Sequence, residues 1–98
     1  MNIITIGESP NYKILIGTGS MYVQEFYVSA NNQTDALALI ADYCEQHDMH
    51  WLYADHYELA DLCDTGEIVA EYAARQDLTE CGEHGIYMQI KGIETIER

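Results

Sequence analysis

Tyr22-Val23-Gln24-Glu25-Phe26-Tyr27-Val28-Ser29-Ala30-Asn31-Asn32-Gln33-Thr34-Asp35-Ala36-Leu37 is the stretch on which the fold turns. Its first half is rich in aromatic and β-branched side chains and has the two-residue period of a strand. Tyr22, Gln24, Phe26 and Val28 lie on one side, with Val23, Glu25 and Tyr27 on the other. Neither side is cleanly polar, which predicts partial burial of both faces. The period changes after Asn31-Asn32, where a side-chain oxygen can accept from the open amides of a helix's first turn. Ala36, Ile40, Tyr43, Cys44 and His47 then recur at helical spacing, with Leu37 and Ala41 alongside. The helix is expected over about residues 32–47, with Asp42, Glu45 and Asp48 largely off its apolar face.

Working outward, residues 2–6 and Tyr12–Ile16 read as strands separated by the turn-forming cluster Gly7-Glu8-Ser9-Pro10-Asn11. Gly17-Thr18-Gly19-Ser20 reads as a hairpin connection into a strand over Met21–Ser29. Downstream, His50-Trp51-Leu52-Tyr53 is an apolar connector, either a brief strand or the docking point of a loop. Asp55 opens a second helix with Glu58 three residues on, the spacing of a capping box. Its buried side is Tyr57, Leu59, Leu62 and Cys63. Asp64-Thr65-Gly66-Glu67 ends that helix and opens a third, with acids at the cap and third positions and a stripe of Ile68, Val69, Tyr72 and Ala73. Leu78–Gly85 reads as a loop and Ile86–Lys91 as an alternating final strand. Gly92 bends the chain before Ile93 and Ile96, which can extend the sheet. The expectation is one α+β domain over residues 1–98, ordered β-β-β-α-α-α-β. It has a mainly antiparallel sheet of about four strands with three helices on one face.

Composition narrows the function. Seventeen acids face four bases, for a formal net charge of −13. A direct nucleic-acid binder needs a basic face to release counterions from phosphates, and anionic lipid also attracts cations. Both classes are therefore disfavoured. Leu, Ile, Val and Phe make up 22 of the 98 residues, just above the rough 20% guide below which acidic chains stay unfolded. No apolar run approaches the roughly 18 residues of a membrane span, and the N-terminus lacks the basic region of a signal peptide. Three cysteines suggest reduced thiols and a cytoplasmic setting rather than a disulfide framework.

The charge is also localised. From Asp35 to Glu83 there are thirteen acids and one base, Arg75. They recur about every three residues, a spacing that winds a band of charge around each helix. Like charges so close repel, by roughly a few tenths of a kcal/mol per pair. Part of the pattern is explained by helix capping and solubility. The remainder predicts a negative surface that imitates a nucleic-acid backbone and occupies a basic groove on a nucleic-acid-binding protein, with long-range attraction speeding the encounter. Asp42, Glu45, Asp48, Glu58, Asp61, Glu71 and Glu80 are the expected contact residues. The alternative is a small accessory interaction domain whose acids only solubilise and whose partner meets its aromatic surface.

Two further possibilities are weighed from the Cys and His residues. Cys44-x-x-His47 and Cys81-x-x-His84 together have the donors of a tetrahedral zinc site. Against this, Cys44 occupies an apolar helical position, where a thiol behaves as a small hydrophobe. No nucleophile elbow accompanies these residues and no phosphate loop is present. Neither catalysis nor a cofactor is therefore expected.

The run Tyr22–Ala30 followed by Asn31–Leu37 is similar to a strand-to-helix unit of small phage and mobile-element proteins. With its size and acidity, the chain resembles inhibitors of the anti-CRISPR and anti-restriction type. That resemblance implies a non-enzymatic inhibitor that binds a host protein, and it carries over no individual functional residue.

Overall fold

The computed structural model describes residues 3–18, 22–63, 66–82 and 85–96. Its elements are β1 (Ile3–Ile6), β2 (Tyr12–Thr18), β3 (Tyr22–Val28), α1 (Gln33–Gln46), a 3-10 turn (His50–Leu52), β4 (Tyr53–Asp55), α2 (His56–Leu62), α3 (Val69–Arg75), β5 (Thr79–Cys81) and β6 (Ile86–Thr95). Gly19 and Ser20 of the expected hairpin connection, Met21 at the expected start of the third strand, Asp64 at the expected start of the third helix, and His84 lie outside the described residues.

The architecture is α+β, as expected, but the sheet has six strands and is mixed. The order is β1-β3-β2-β6-β4, with β5 also paired to β6. All pairings are antiparallel except β1 with β3, which runs parallel from Ile3↔Glu25 to Ile6↔Val28. The parallel pair arises because β2 lies on the far side of β3, so the β1–β2 connection must cross the end of β3. Gly7 makes that crossing at φ +83°, where a Cβ would stand 2.9 Å from the Cβ of Ser29. Asn11 then clasps the crossing. Its side-chain amide donates to the Ala30 carbonyl and accepts from the Ala30 N–H, both at 2.9 Å. Its backbone donates to Val28 and accepts from Ile96.

Strand β6 is the spine. Gln89–Thr95 pairs with β2, while Ile86–Met88 is flanked by both β4 and β5. The expected bend at Gly92 is a bulge: Leu15 faces Gly92 and Ile16 faces Ile90, leaving Lys91 as the extra residue. The stem of Lys91 folds over Gly17, where a Cβ would come within 2.5 Å of Lys91 Cε. β5 replaces part of the expected Leu78–Gly85 loop. These three residues have too little alternation to declare a strand, and the exposed edge of β6 recruits them.

Two-residue periodicity also corrects the placement of helices on one face. Ile86 and Met88 join Ile14, Ile16, Phe26 and Val28 beneath Ala36, Ile40, Ala41 and Cys44 of α1. Tyr87, between them, points the other way and packs against Leu59 of α2 and Ala73 of α3. All three β6 residues are buried because each face has its own cover. So α1 lies on one face, and the α2–α3 pair lies on the opposite face at the β4–β6–β5 end.

Local signals behave unevenly. Asn32 caps α1 by accepting from the Asp35 N–H at 2.8 Å, and Asp55 caps α2 by accepting from the Glu58 N–H at 2.8 Å. The expected acidic cap of the third helix is not formed as written. α3 starts at Val69 with Ile68 as its N-cap and no side-chain cap bond. Glu67 instead pairs with Arg75 in the last turn of α3. No described helix is long and apolar enough to cross a membrane.

Candidate functional site: an acidic surface over the helices

Asp42 and Glu45 project from α1, Glu58 and Asp61 from α2, Glu71 from α3 and Glu80 from β5. Asp48 sits in the turn after α1 at φ +53°, a left-handed position that Asp and Asn tolerate better than most residues. All seven are exposed. The described ion pairs to Lys or Arg are Lys13–Glu25 at 3.2 Å and Arg75–Glu67, so none of the seven is neutralised by a Lys or Arg among the described residues. Among the described residues Asp48 has His50 at 3.6 Å as its one ion-pair partner.

The fold segregates charge. Lys13 and Glu25 share the sheet face away from α1, where Lys13 also stands opposite Glu94 across the β2–β6 pairing. The Lys13 ammonium is held above its ordinary pKa, chiefly by its hydrogen bond and attraction to Glu25, then by Glu94. Lys91 lies over the neighbouring Gly17. The β2, β3 and β6 residues of that face are near balance, so the imbalance is carried by the helices and β5.

The acids fall into three groups. Asp35 and Asp42 line a shallow depression of about 530 Å³ between the β3–α1 loop and α1. Glu45, Asp48 and Glu58 gather about Tyr53, because the 3-10 turn folds the start of α2 back beside the end of α1. Burial pushes the Tyr53 phenol up, and the negative charges of Glu45, Glu58 and Asp48 push it further. Glu45 and Asp55 also line a cleft of about 350 Å³ with His56 and Tyr57. On the opposite sheet face, burial raises the Tyr87 phenol and Glu80 adds to the shift. α2 and α3, which carry Asp61 and Glu71, pack on that face. The acidic surface therefore wraps the helix-bearing end of the molecule on both sides.

Tyr53 and Tyr87 were not marked as site residues by the sequence. The available signal was an aromatic residue within a few positions of several acids, which a chain this acidic offers repeatedly.

The Cys/His pairs are brought only partly together. Cys44 and Cys81 are both buried in the core under α1. Burial pushes the Cys44 thiol up to about 12 and the Cys81 thiol up to about 11. Zinc binds thiolates, and this apolar setting keeps both groups protonated. His47 does not point at them. Its ring stacks on Tyr43 at 3.9 Å between centroids, and Nδ1 lies 2.9 Å from the Tyr43 carbonyl. Among the described residues no three His, Cys, Asp or Glu side chains are grouped to hold a metal ion.

Comparison of the chain with protein-family profiles, curated proteins and solved structures gives no match.

Proposed function

We propose that this chain is an acidic binding protein that imitates a nucleic-acid strand and occupies a basic, nucleic-acid-binding groove on another protein. The observation carrying this reading is the set of seven exposed carboxylates on α1, α2, α3 and β5 that lack a Lys or Arg partner among the described residues. A merely solubilising surface would interleave both signs. Here the acids repel one another, and a basic partner relieves that repulsion.

Scale supports a strand rather than a duplex. The molecule measures 48 × 27 × 23 Å. One nucleic-acid strand carries a phosphate about every 3.4 Å, so 48 Å of it holds about 14 charges, and a duplex about twice that. The protein's net charge is −13. The resemblance to small acidic inhibitors of phages and mobile elements points the same way, and with it a cytoplasmic, non-enzymatic role.

The test is capture on immobilised protein at low and high salt, with and without excess single-stranded polynucleotide. Basic nucleic-acid-binding proteins should be retained at low salt and displaced both by the polynucleotide and by salt, since screening weakens exposed charge pairs. A folded variant carrying D42N, E45Q, D48N, E58Q, D61N, E71Q and E80Q should retain none of them. Retention of neutral or acidic proteins only, indifferent to salt and polynucleotide, refutes the reading.

A further inference from the structure

A groove of about 330 Å³ opens where the 3-10 turn, α2, α3 and β6 meet. Its walls are mostly apolar. Trp51 is 48% exposed at one edge and Leu62 is 61% exposed on α2, while Leu59 and Tyr72 form deeper parts. A chain with so little apolar material leaves two large apolar side chains, Trp51 and Leu62, at the surface beside the same depression. Such exposed patches mark interaction sites more often than isolated apolar residues do. The volume sits at the low end of the roughly 300–1,000 Å³ range of ligand pockets, a fit for one large apolar side chain.

Two features specify the occupant. The first is charge. Glu58 and Asp61 directly precede the groove residues Leu59 and Leu62, Glu71 precedes Tyr72, and Asp77 follows Gln76; all four acids are exposed. The nearby base, Arg75, lies over the Tyr72 ring at 5.6 Å and is paired with Glu67. The second feature is an unsatisfied acceptor. Gln89 lines the groove, and its Oε1 is buried without a hydrogen-bond partner among the described residues, while its Nε2 donates to the Gln76 carbonyl at 3.5 Å, the outer limit of such a bond. The terminal torsion of a glutamine amide is soft. A small rotation turns Oε1 toward an N–H of a Lys or Arg flanking the occupant's anchor, since an apolar anchor itself has no donor.

We propose that this groove seats an apolar anchor of a basic amphipathic segment of a partner protein, with the segment's Lys and Arg against Glu58, Asp61, Glu71 and Asp77. An acidic rim repels anionic lipid and acidic peptides, and it favours an apolar side chain flanked by cations. The inference rests on the acidic surface meeting a basic partner, and it adds to that reading an apolar contact that nucleic-acid imitation does not require.

Trp51 is the chain's single tryptophan, so its emission reports directly on the groove. The probes are two synthetic peptides of equal length and charge without tryptophan, one of Lys and Leu in amphipathic helical order, the other of Lys and Ala. The Lys/Leu peptide should bind at least tenfold more tightly and shift Trp51 emission to the blue, and the Lys/Ala peptide should do neither. L62S, a change at an exposed position, should remove the tenfold preference and leave the weak Lys/Ala affinity unchanged. E58Q/E71Q should weaken the Lys/Leu peptide several-fold at low salt. Equal affinity for both peptides without an emission shift overturns the groove and leaves the acidic-surface reading standing. A Leu preference that survives E58Q/E71Q without loss of affinity overturns the basic occupant. If neither peptide binds, the groove proposal fails, and the acidic-surface reading is decided by the capture experiment alone.

Discussion

Replacing Asn11 by Ala tests how much of the fold depends on one side chain. The Asn11 amide makes two hydrogen bonds of 2.9 Å to the backbone of Ala30, one as donor and one as acceptor, in a partly buried setting. Through its backbone the same residue joins Val28 and Ile96, and these bonds do not need the amide. The substitution therefore isolates the side-chain clasp. Each such bond is worth about 0.5–1.5 kcal/mol net, so losing two costs about 1–3 kcal/mol. For a chain of this size each kcal/mol lowers Tm by about 4–8 °C, so a central value of 2 kcal/mol corresponds to about 8–16 °C. Chemical denaturation gives the free energy and thermal melting gives the Tm. Amide hydrogen exchange adds a local reading, because the Ala30 N–H should lose protection while the Ile14 and Ile16 amides keep theirs below global unfolding. Asn31→Ala, at an exposed neighbour, is the control and should stay within about 0.5 kcal/mol of the parent. If Asn11→Ala also falls within that margin, the clasp reasoning is wrong.

Further predictions concern strain, ionisation and surface pairing. Gly7→Ala should destabilise by about 1–3 kcal/mol in denaturant melts, because alanine at φ +83° is strained and its Cβ meets Ser29. Stability should fall as pH rises from the ordinary thiol value of 9.0 toward the folded values of about 12 for Cys44 and about 11 for Cys81. Below pH 9 both states hold their protons, and above it the unfolded chain loses them first, at about 1.4 kcal/mol per pH unit per thiol. Cys44→Ala should flatten that alkaline slope by about one proton, as read from melts between pH 8.5 and 10.5. Arg75→Gln breaks the pair with Glu67, but the Arg75 side chain is 59% exposed. Its cost in the same melts should be no more than about 1 kcal/mol.

Legibility in the sequence follows the range of the interaction. α1 was readable because its cap and apolar stripe lie within a few residues of one another; the structure matches the cap and the stripe from Ala36 to Cys44, while His47 is exposed at the C-cap. The parallel β1–β3 pair was not, since it joins residues 22 positions apart and nothing in Ile3–Ile6 states a direction. β5 was missed because Thr79-Glu80-Cys81 is a strand only by virtue of β6 beside it. The distribution of helices over two faces turns on Tyr87, whose amphipathic ring reads equally as surface or core. The exposure of the seven acids followed from their chemistry. Their grouping about Tyr53, and the groove beside Trp51, depend on several elements meeting, which periodicity does not encode.

The role of β6 as spine has a consequence for how the chain is made. β4 and β5 take their pairing, and β2 the pairing of its second edge, from the last strand in the order of elements. During synthesis those edges stay open until residues 86–95 emerge, a long interval in which exposed strands invite contact with other chains. Fifteen of the seventeen acids have been added by Glu83, before that strand arrives. The charge that suits the finished surface to a basic partner thus also keeps unfinished copies apart, by mutual repulsion, until the sheet can close.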